Sequence, residues 1–271
     1  MPSTAQFPAT QPHTRLSPPG SIAFETDIDA DFEVDNGYFD AAGFAAHALS
    51  DWRKLAAVID HTLLKPEATR TQVENLCDEA VRYRFACAMI NPVWVPAAAS
   101  LLSGTGIPVG VVIGFPLGAS LASTLRQEAS ALIRLGAREL DMVISVGQLK
   151  SGEHAAVERT IRGAAEVAHN HGALLKVILE TCLLTVEEKL RASEIAIHAG
   201  ADFLKTSTGF STGGATAADV ALLRGVAGAR CGVKASGGIR TLADARAMLE
   251  AGANRIGASA SVAMVRELGA E

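Results

Sequence analysis

The sequence predicts a (β/α)8 barrel, also called a TIM barrel, built as a single domain that follows an acidic N-terminal extension. Three observations carry this prediction: eight short β-rich runs alternate with amphipathic helical patterns, the joints between them repeat, and the chain has a suitable size. Its 271 residues are 49% apolar and 20% charged, enough to build one large core without disulfide bonds.

The eight predicted strands are short runs of aliphatic and β-branched residues. They lie at 56–60, 85–90, 109–113, 139–145, 174–180, 202–206, 232–235 and 255–257. Helical patterns lie between them at 69–83, 92–102, 120–135, 154–169, 185–198, 217–227, 242–250 and from Ser261. Parallel strands need crossover helices, so this alternation favours a parallel barrel. A doubly wound open sheet is the rival, and no G-x-G-x-x-G motif follows the first strand to support its dinucleotide-binding form.

The joints between predicted helices and strands share one pattern. LGAREL (135–140), AGADFL (199–204) and AGANRI (251–256) each place a glycine where a helix ends in the left-handed conformation, directly before a strand. Helix starts are predicted by the capping residues Thr69, Ser120, Thr185 and Thr241. Glu188, three residues after Thr185, completes a capping box.

Residues 1–43 are predicted to form a flexible, proline-rich, acidic extension, and residues 44–271 the folded domain. Five of the ten prolines lie within the first 19 residues, a density that helices and central strands do not tolerate. The first 50 residues carry seven acidic side chains against the single base Arg15, unlike a secretory signal or a transit peptide. We expect the extension to be dispensable for chemistry, whereas Phe44, Leu49 and Trp52 could pack across the bottom of the barrel.

Composition also restricts partners and location. A net charge of −5 gives little attraction for nucleic acid, and no apolar run reaches the roughly 18 residues of a membrane span. Four cysteines without a C-x-x-C pair predict reduced thiols in the cytoplasm. The histidines form no metal-ligand pattern, since His169 and His171 would point to different faces of a helix. We therefore expect a cytoplasmic protein with no metal, no nucleic acid and no membrane partner.

Three of the seven lysines lie inside consecutive predicted strands, and these are Lys176, Lys205 and Lys234. A single strand lysine usually extends its ammonium group to the surface. Three that point into a barrel would crowd like charges, lowering the pKa of at least one amine and making it nucleophilic, as Schiff-base catalysis requires. Lys205 ends its strand, where active sites of this fold open, whereas Lys176 lies deeper and is better placed to pair with a carboxylate. Lys234 also lies near the end of its strand and is the competing candidate for the nucleophile.

Two aspartates accompany these lysines. Asp141 alternates with Leu140 and Met142, so it faces the opposite side of its strand from them, and we expect it in the lumen beside a lysine. Beside a Schiff-base lysine, such an acid would shuttle protons to and from a substrate hydroxyl. Asp60 ends the first strand, where a turn or capping role is the alternative.

Two glycine-rich stretches follow late strands. Ser236, Gly237 and Gly238 follow the seventh, and residues 257–259 lead from the eighth strand into the final helix. Loops after strands seven and eight commonly bind phosphate through backbone N–H groups in this fold, and glycine lets that backbone approach closely.

Taken together, six motifs resemble the deoxyribose-phosphate aldolase family of class I, Schiff-base aldolases. They are DHTLLKP (60–66), VIGFPLG (112–118), ELDMVI (139–144), KVILET (176–181), FLKTSTGF (203–210) and VKASGGIR (233–240). The resemblance covers about residues 55–265 in unbroken order. It implies reversible cleavage of 2-deoxy-D-ribose 5-phosphate to acetaldehyde and D-glyceraldehyde 3-phosphate, without metal or other cofactor.

The resemblance also implies roles for individual residues. Lys205 resembles the Schiff-base lysine, Lys234 the second lysine that perturbs it, and Asp141 the proton-transfer acid. The supporting positions are Asp60, Lys176 and Thr206. The phosphate-binding positions are Gly209, Gly237, Gly238 and Ser259.

This chain departs from many relatives at Met89, where they carry a cysteine, and at Ala260, where they often have a small polar residue. Two alternative functions stay open: another class I phosphosugar aldolase, and a phosphosugar-binding barrel that lacks catalysis. The expected partner is a small phosphosugar substrate. The sequence leaves the oligomeric state open, with a homodimer as one option.

Overall fold

The computed structural model of the chain describes residues 32–34 and 37–271, with the backbone alone for residues 33 and 34. Most of the predicted extension, residues 1–31 and 35–36, therefore lies outside the described residues.

The described residues confirm the predicted (β/α)8 barrel. Two short antiparallel strands come first, β1 (Glu33–Val34) and β2 (Tyr38–Phe39). The barrel strands are β3 (Ile59–Leu63), β4 (Cys87–Ile90), β5 (Val109–Ile113), β6 (Ala137–Val143), β7 (Leu174–Ile178), β8 (Phe203–Lys205), β9 (Gly232–Ser236) and β10 (Arg255–Ala258). All eight are parallel, and β10 pairs with β3 to close the barrel.

Helices surround the barrel and cover its outer apolar face. They are α1 (Ala41–Ala48), α2 (Trp52–Ala56), α3 (Arg70–Tyr83), α4 (Val95–Leu101), α5 (Ala122–Arg134), α6 (Val146–Lys150), α7 (His154–His169), α8 (Val186–His198), α9 (Ala217–Ala227), α10 (Leu242–Glu250) and α11 (Ser261–Glu267). The outward-facing strand residues and the helices share one hydrophobic core, as expected for parallel strands buried on both faces. No helix in the described ranges has the length and apolar character that a membrane span requires.

The capping predictions are confirmed at three helices and wrong at one. Thr69 and Thr185 form capping boxes, and Thr241 accepts a hydrogen bond from the backbone N–H of Asp244. Ser120 does not cap α5, because the helix begins at Ala122 and Leu121 occupies the capping position. Ser120 therefore lies one residue too early for the role.

The bounds of seven of the eight barrel strands differ from the sequence prediction, by one to three residues. β3 begins at Ile59 rather than at Ala56, because Ala56 ends α2, which Asp51 caps by accepting a hydrogen bond from Arg53 N at 2.7 Å. β6 spans 137–143 rather than 139–145. β7 ends at Ile178 rather than at Glu180, since Glu180 has a left-handed φ of +57° that a strand does not accommodate.

Residues 37–43, inside the predicted extension, pack on the barrel domain. The Phe39 and Phe44 ring centroids lie 5.3 Å apart, and the Arg224 guanidinium lies 4.1 Å from the centroid of the Phe39 ring. Asp40 caps α1 by accepting a hydrogen bond from the third residue of the helix at 2.9 Å. The boundary predicted after residue 43 falls inside α1, because these aromatic and capping contacts are not visible in composition.

Candidate active site

Three lysines from consecutive strands point into the barrel. Lys176 on β7, Lys205 at the end of β8 and Lys234 on β9 are at most 3% exposed. Lys205 is paired with Lys234 in the strand register, whereas Lys176 is paired with Phe203, two residues earlier on β8. Lys205 therefore lies nearer the carboxyl end of the barrel than Lys176, as the sequence predicts, and none of the three extends to the surface.

Asp141 on β6 is the common partner of all three ammonium groups. Its Oδ2 accepts hydrogen bonds from Lys205 Nζ at 2.7 Å and from Lys234 Nζ at 2.6 Å, and its Oδ1 from Lys176 Nζ at 3.1 Å. Leu140 and Met142 lie in the core outside the barrel, so strand alternation directs Asp141 inward. The structure thus confirms the lumen-facing position of Asp141 beside lysine.

A second set of charges extends this network toward the amino end of the strands. Asp60 accepts hydrogen bonds from Lys234 and, at 2.9 Å, from Arg255 Nη1. Arg255 Nη1 also lies 3.6 Å from Glu139 Oε1, and Glu139 accepts a hydrogen bond from Lys176. Because Asp60 is fully buried in this network, the alternative of a turn or capping aspartate is wrong.

The seven charged side chains of this network are four cations and three carboxylates: Lys176, Lys205, Lys234, Arg255, Asp60, Glu139 and Asp141. Loss of one proton from a cation therefore makes the network neutral, and a low-dielectric interior favours neutrality. Lys205 is suited to this loss, because burial lowers its pKa to about 8. The positive charges of Lys234 and Lys176 add to this lowering, against the attraction of Asp141. Burial is therefore a larger cause of the lowered pKa than the crowding of like charges that the sequence predicts.

Lys176 and Asp141 behave differently from Lys205. Burial alone would lower the pKa of Lys176, but Asp141, Glu139 and Asp60 outweigh it and hold this pKa well above its ordinary value. Burial alone would raise the pKa of Asp141, but the three lysines hold it well below its usual range. At neutral pH, therefore, Lys176 stays an ammonium group and Asp141 a carboxylate, while Lys205 can become a neutral amine.

Three of the buried groups also have a geometry that could hold a metal ion. The ligand atoms of Asp60, Cys87 and Glu139 lie within 4.8 Å of one another. Burial, with Glu139 and Asp60 adding to it, holds the pKa of the Cys87 thiol well above its ordinary value, so it is protonated and a poor ligand. Both carboxylates already accept hydrogen bonds from basic side chains. The arrangement therefore fits an ion-pair network better than a metal site.

The remaining predicted residues lie at the carboxyl ends of β8, β9 and β10. Thr206 Oγ1 donates a hydrogen bond to Ser236 O and accepts one from Ser236 N, both at 3.1 Å, and so ties β8 to β9. Gly209 and Gly237 lie side by side, because a Cβ on Gly209 would be 3.8 Å from Gly237 Cα. Both have a positive φ, +83° at Gly209 and +89° at Gly237. Gly238 faces open space.

Ser259 is exposed and follows β10 directly, two residues before α11. The four predicted phosphate-binding positions thus share one end of the barrel, the same end at which Lys205 lies.

An apolar cavity of about 130 Å³ opens at this end of the barrel, on the side of the loops after β5 to β8. Leu117, Leu183 and Phe210 line it together with Glu180 and Thr208.

The sequence profile of the DeoC/LacD family aldolases matches residues 54–265, which is the whole barrel with its lysines and carboxylates. The chain belongs to the DeoC/LacD aldolase family. It is therefore an enzyme, a lyase.

This aldolase is 56% identical over 211 residues to a deoxyribose-phosphate aldolase from Geobacillus sp. (strain WCH70), covering 78% of this chain and 94% of the relative. Among solved structures, a putative deoxyribose-phosphate aldolase from Coccidioides immitis has a TM-score of 0.78 and 41% identity, covering 80% of this chain and 86% of that one. The tetrameric deoxyribose phosphate aldolase from Aeropyrum pernix also has a TM-score of 0.78, with 37% identity over 84% of this chain and 96% of that one.

Sequence reasoning missed two members of the charge network of this aldolase, Glu139 and Arg255. Glu139 lies two residues before Asp141 on the same strand, so alternation alone would have put both carboxylates in the lumen. Arg255 gives no such signal, because only the strand register places it beside Lys234.

Proposed function

We propose that this aldolase reversibly cleaves 2-deoxy-D-ribose 5-phosphate to acetaldehyde and D-glyceraldehyde 3-phosphate through a Schiff base on Lys205. The observation that supports it best is the position of Lys205. This buried amine has a pKa near 8, lies at the open end of the barrel, and contacts a carboxylate through Nζ. The names of the relatives, deoxyribose-phosphate aldolases at up to 56% identity, supply the substrate.

In the first step, the neutral amine of Lys205 attacks the aldehyde carbon of the open-chain sugar. The resulting carbinolamine loses water to give a protonated imine. Burial favours this step because it raises the neutral fraction of the amine near pH 7 to 8. Lys234, whose ammonium group shares Asp141 Oδ2 with Lys205, disfavours reprotonation of the amine through its positive charge.

In the second step, the bond between C2 and C3 breaks. A base takes the proton of the C3 hydroxyl, the electron pair of the breaking bond moves to the iminium nitrogen, and glyceraldehyde 3-phosphate leaves. Asp141 is the proposed base, directly or through a water molecule, since its carboxylate is ionised beside Lys205. Protonation of the enamine at C2 and hydrolysis of the imine then release acetaldehyde and restore Lys205.

The proposed phosphate site consists of Gly209, Gly237, Gly238 and Ser259. Glycines with positive φ can present backbone N–H groups to an anion without a side chain in the way. Three further residues have supporting roles in this proposal. Asp60 accepts a hydrogen bond from Lys234, and Lys176 donates one to Asp141, so each stabilises the charge of its partner. Thr206 joins β8 to β9 through Ser236.

A spectrophotometric assay of acetaldehyde release from 2-deoxyribose 5-phosphate tests the proposal, run with and without a chelator. We expect turnover that the chelator does not change and that Lys205→Met abolishes. Cleavage of a ketose phosphate without acetaldehyde would favour another class I aldolase. Phosphosugar binding without turnover would favour a binding protein. Loss of activity with the chelator would contradict the metal-free mechanism.

A further inference from the structure

One buried carboxylate at the open end of the barrel has no part in the steps above. Glu180 is 3% exposed, and no basic side chain pairs with it among the described residues. It belongs to the KVILET motif, of which the proposed mechanism uses only Lys176. Buried carboxylates need hydrogen-bond partners, and those of Glu180 indicate what it does.

Both hydrogen-bond donors of Thr208 go to Glu180. Thr208 N donates to Glu180 Oε1 at 3.2 Å, and the Thr208 hydroxyl donates to Oε2. The same hydroxyl oxygen accepts a hydrogen bond from Phe210 N at 3.0 Å. Glu180 therefore fixes the backbone on both sides of Gly209, which lies between Thr208 and Phe210.

The backbone of Glu180 is also held in an unusual conformation against the strand that carries Lys205. Its φ of +57° and ψ of +61° are left-handed values that residues other than glycine and asparagine rarely adopt. Leu179 N donates to Lys205 O at 2.9 Å, and Thr181 N to Thr206 O at 3.0 Å, so Glu180 is fixed on either side. Strained residues of this kind concentrate at functional sites, where surrounding contacts maintain them.

We propose that Glu180 is a positioning residue that holds the Thr206–Phe210 segment so that Lys205 Nζ and the backbone around Gly209 face one substrate. This inference rests on the proposed function, because it takes the Gly209 backbone as part of the phosphate site. Glu180 acts through Thr208 and is not itself in the reaction. Its loss should therefore weaken binding of the phosphorylated substrate and leave imine formation intact.

The test compares Glu180→Gln with the wild-type enzyme on three reactions. A glutamine fills the same volume but has an NH2 donor at one of the two oxygen positions, so it cannot accept one hydrogen bond from Thr208 at each position as the carboxylate does. We expect KM for 2-deoxyribose 5-phosphate to rise about tenfold while kcat changes by less than about threefold. Cleavage of unphosphorylated 2-deoxyribose, and borohydride trapping of acetaldehyde on Lys205, should stay within about twofold of wild type.

Thr208 supplies a second route to the same result, in case Glu180→Gln folds poorly. Thr208→Val removes the hydroxyl and should raise KM by a similar factor. Thr208→Ser keeps the hydroxyl and should have a KM near that of the wild-type enzyme. The double variant Glu180→Gln, Thr208→Val should have a KM no higher than that of either single variant, since each substitution removes the same interaction between Glu180 and Thr208. Glu187→Gln, at the exposed start of α8, is the matched control and should behave as wild type.

An unchanged KM in Glu180→Gln, or an equal loss on unphosphorylated 2-deoxyribose, would overturn the role of Glu180 and leave the proposed reaction standing. Failure of the wild-type enzyme to form a trappable imine would instead overturn the Schiff-base reaction, and this inference with it.

Discussion

The two walls of the barrel lumen differ sharply in chemistry. The wall formed by β6 to β10 and β3 carries the charged network around Asp141. The wall formed by β4 and β5 carries Cys87, Met89 and Val112, packed with Leu64 and Phe115 in an apolar cluster separate from the main core. The charged wall carries the proposed nucleophile, Lys205, and the proposed base, Asp141. The apolar wall supplies no ionised group, and its side chains exclude water from the charged wall that it faces.

The comparison explains why so costly an arrangement is retained. Buried ion pairs lose much of their attraction to desolvation, so they are weak contributors to stability and a well-packed apolar lumen would serve stability as well. Burial lowers the pKa of Lys205, and the positive charges of Lys234 and Lys176 on the same wall add to this lowering, while Lys176 itself stays charged. An unequal lumen therefore produces one reactive amine among several buried cations.

The largest effect is expected from Asp141→Asn, which removes the carboxylate shared by the three lysines. We expect kcat to fall by about 10²- to 10⁴-fold, the usual contribution of a positioned acid or base. The pKa of Lys205 should fall too, since Asp141 favours its charged form. Steady-state assays measure the first effect, and Asp78→Asn on the exposed face of α3 is the control. A loss below tenfold would remove Asp141 from the proposed proton transfer.

Two substitutions in the charged wall should shift the pH profile in opposite directions. Lys234→Met removes a positive charge, so the pKa of Lys205 rises, and the acid limb of kcat/KM moves up by about one pH unit. Glu139→Gln removes a negative charge, so the pKa of Lys205 falls, and the limb moves down. Both variants should be slower than wild type. If the acid limb of kcat/KM moved in the same direction in the two variants, charge would not be what sets the pKa of Lys205.

The apolar wall should make the enzyme tolerant of aldehydes. A thiolate adds to unsaturated condensation products of acetaldehyde, but Met89 cannot form a thiolate and burial keeps Cys87 protonated. Met89 lies two residues nearer the open end of the barrel than Cys87, and the shorter side chain of Met89→Cys leaves space through which an aldehyde reaches the new thiol. This variant should shorten the half-life in acetaldehyde by about threefold or more, in a Cys182→Ser background that removes the exposed thiol. Rapid inactivation of the wild type with an adduct mapped to Cys87 would contradict this prediction.

The smallest effect on turnover is expected outside both walls, in the N-terminal extension. Deletion of residues 2–31 should change neither turnover nor stability. Deletion of residues 2–40 should leave turnover near wild type but lower Tm by a few degrees, because it removes the Asp40 cap and the Phe39 packing, about 1 kcal/mol each. A loss of turnover above tenfold would make the extension part of the active unit.

The order of strands and helices could be predicted because it is written in local periodicity and in the repeated helix-to-strand joints. The lumen-facing position of Asp141 followed from strand alternation for the same reason, whereas Lys205 and Lys234 were predicted only to lie inside strands. Arg255 could not be predicted, because its partners come from strands that only the closed register brings near. Glu180 was missed because no sequence rule assigns a left-handed conformation to glutamate.

The central claim is that the charged wall makes Lys205 the nucleophile. Reduction of the wild-type enzyme with borohydride in the presence of 2-deoxyribose 5-phosphate, followed by peptide mass spectrometry, tests it most directly. We expect a reduced two-carbon adduct on Lys205 that is absent from Lys205→Met and retained in a slower Lys234→Met enzyme. An adduct on Lys234 with Lys205 unmodified would contradict the account.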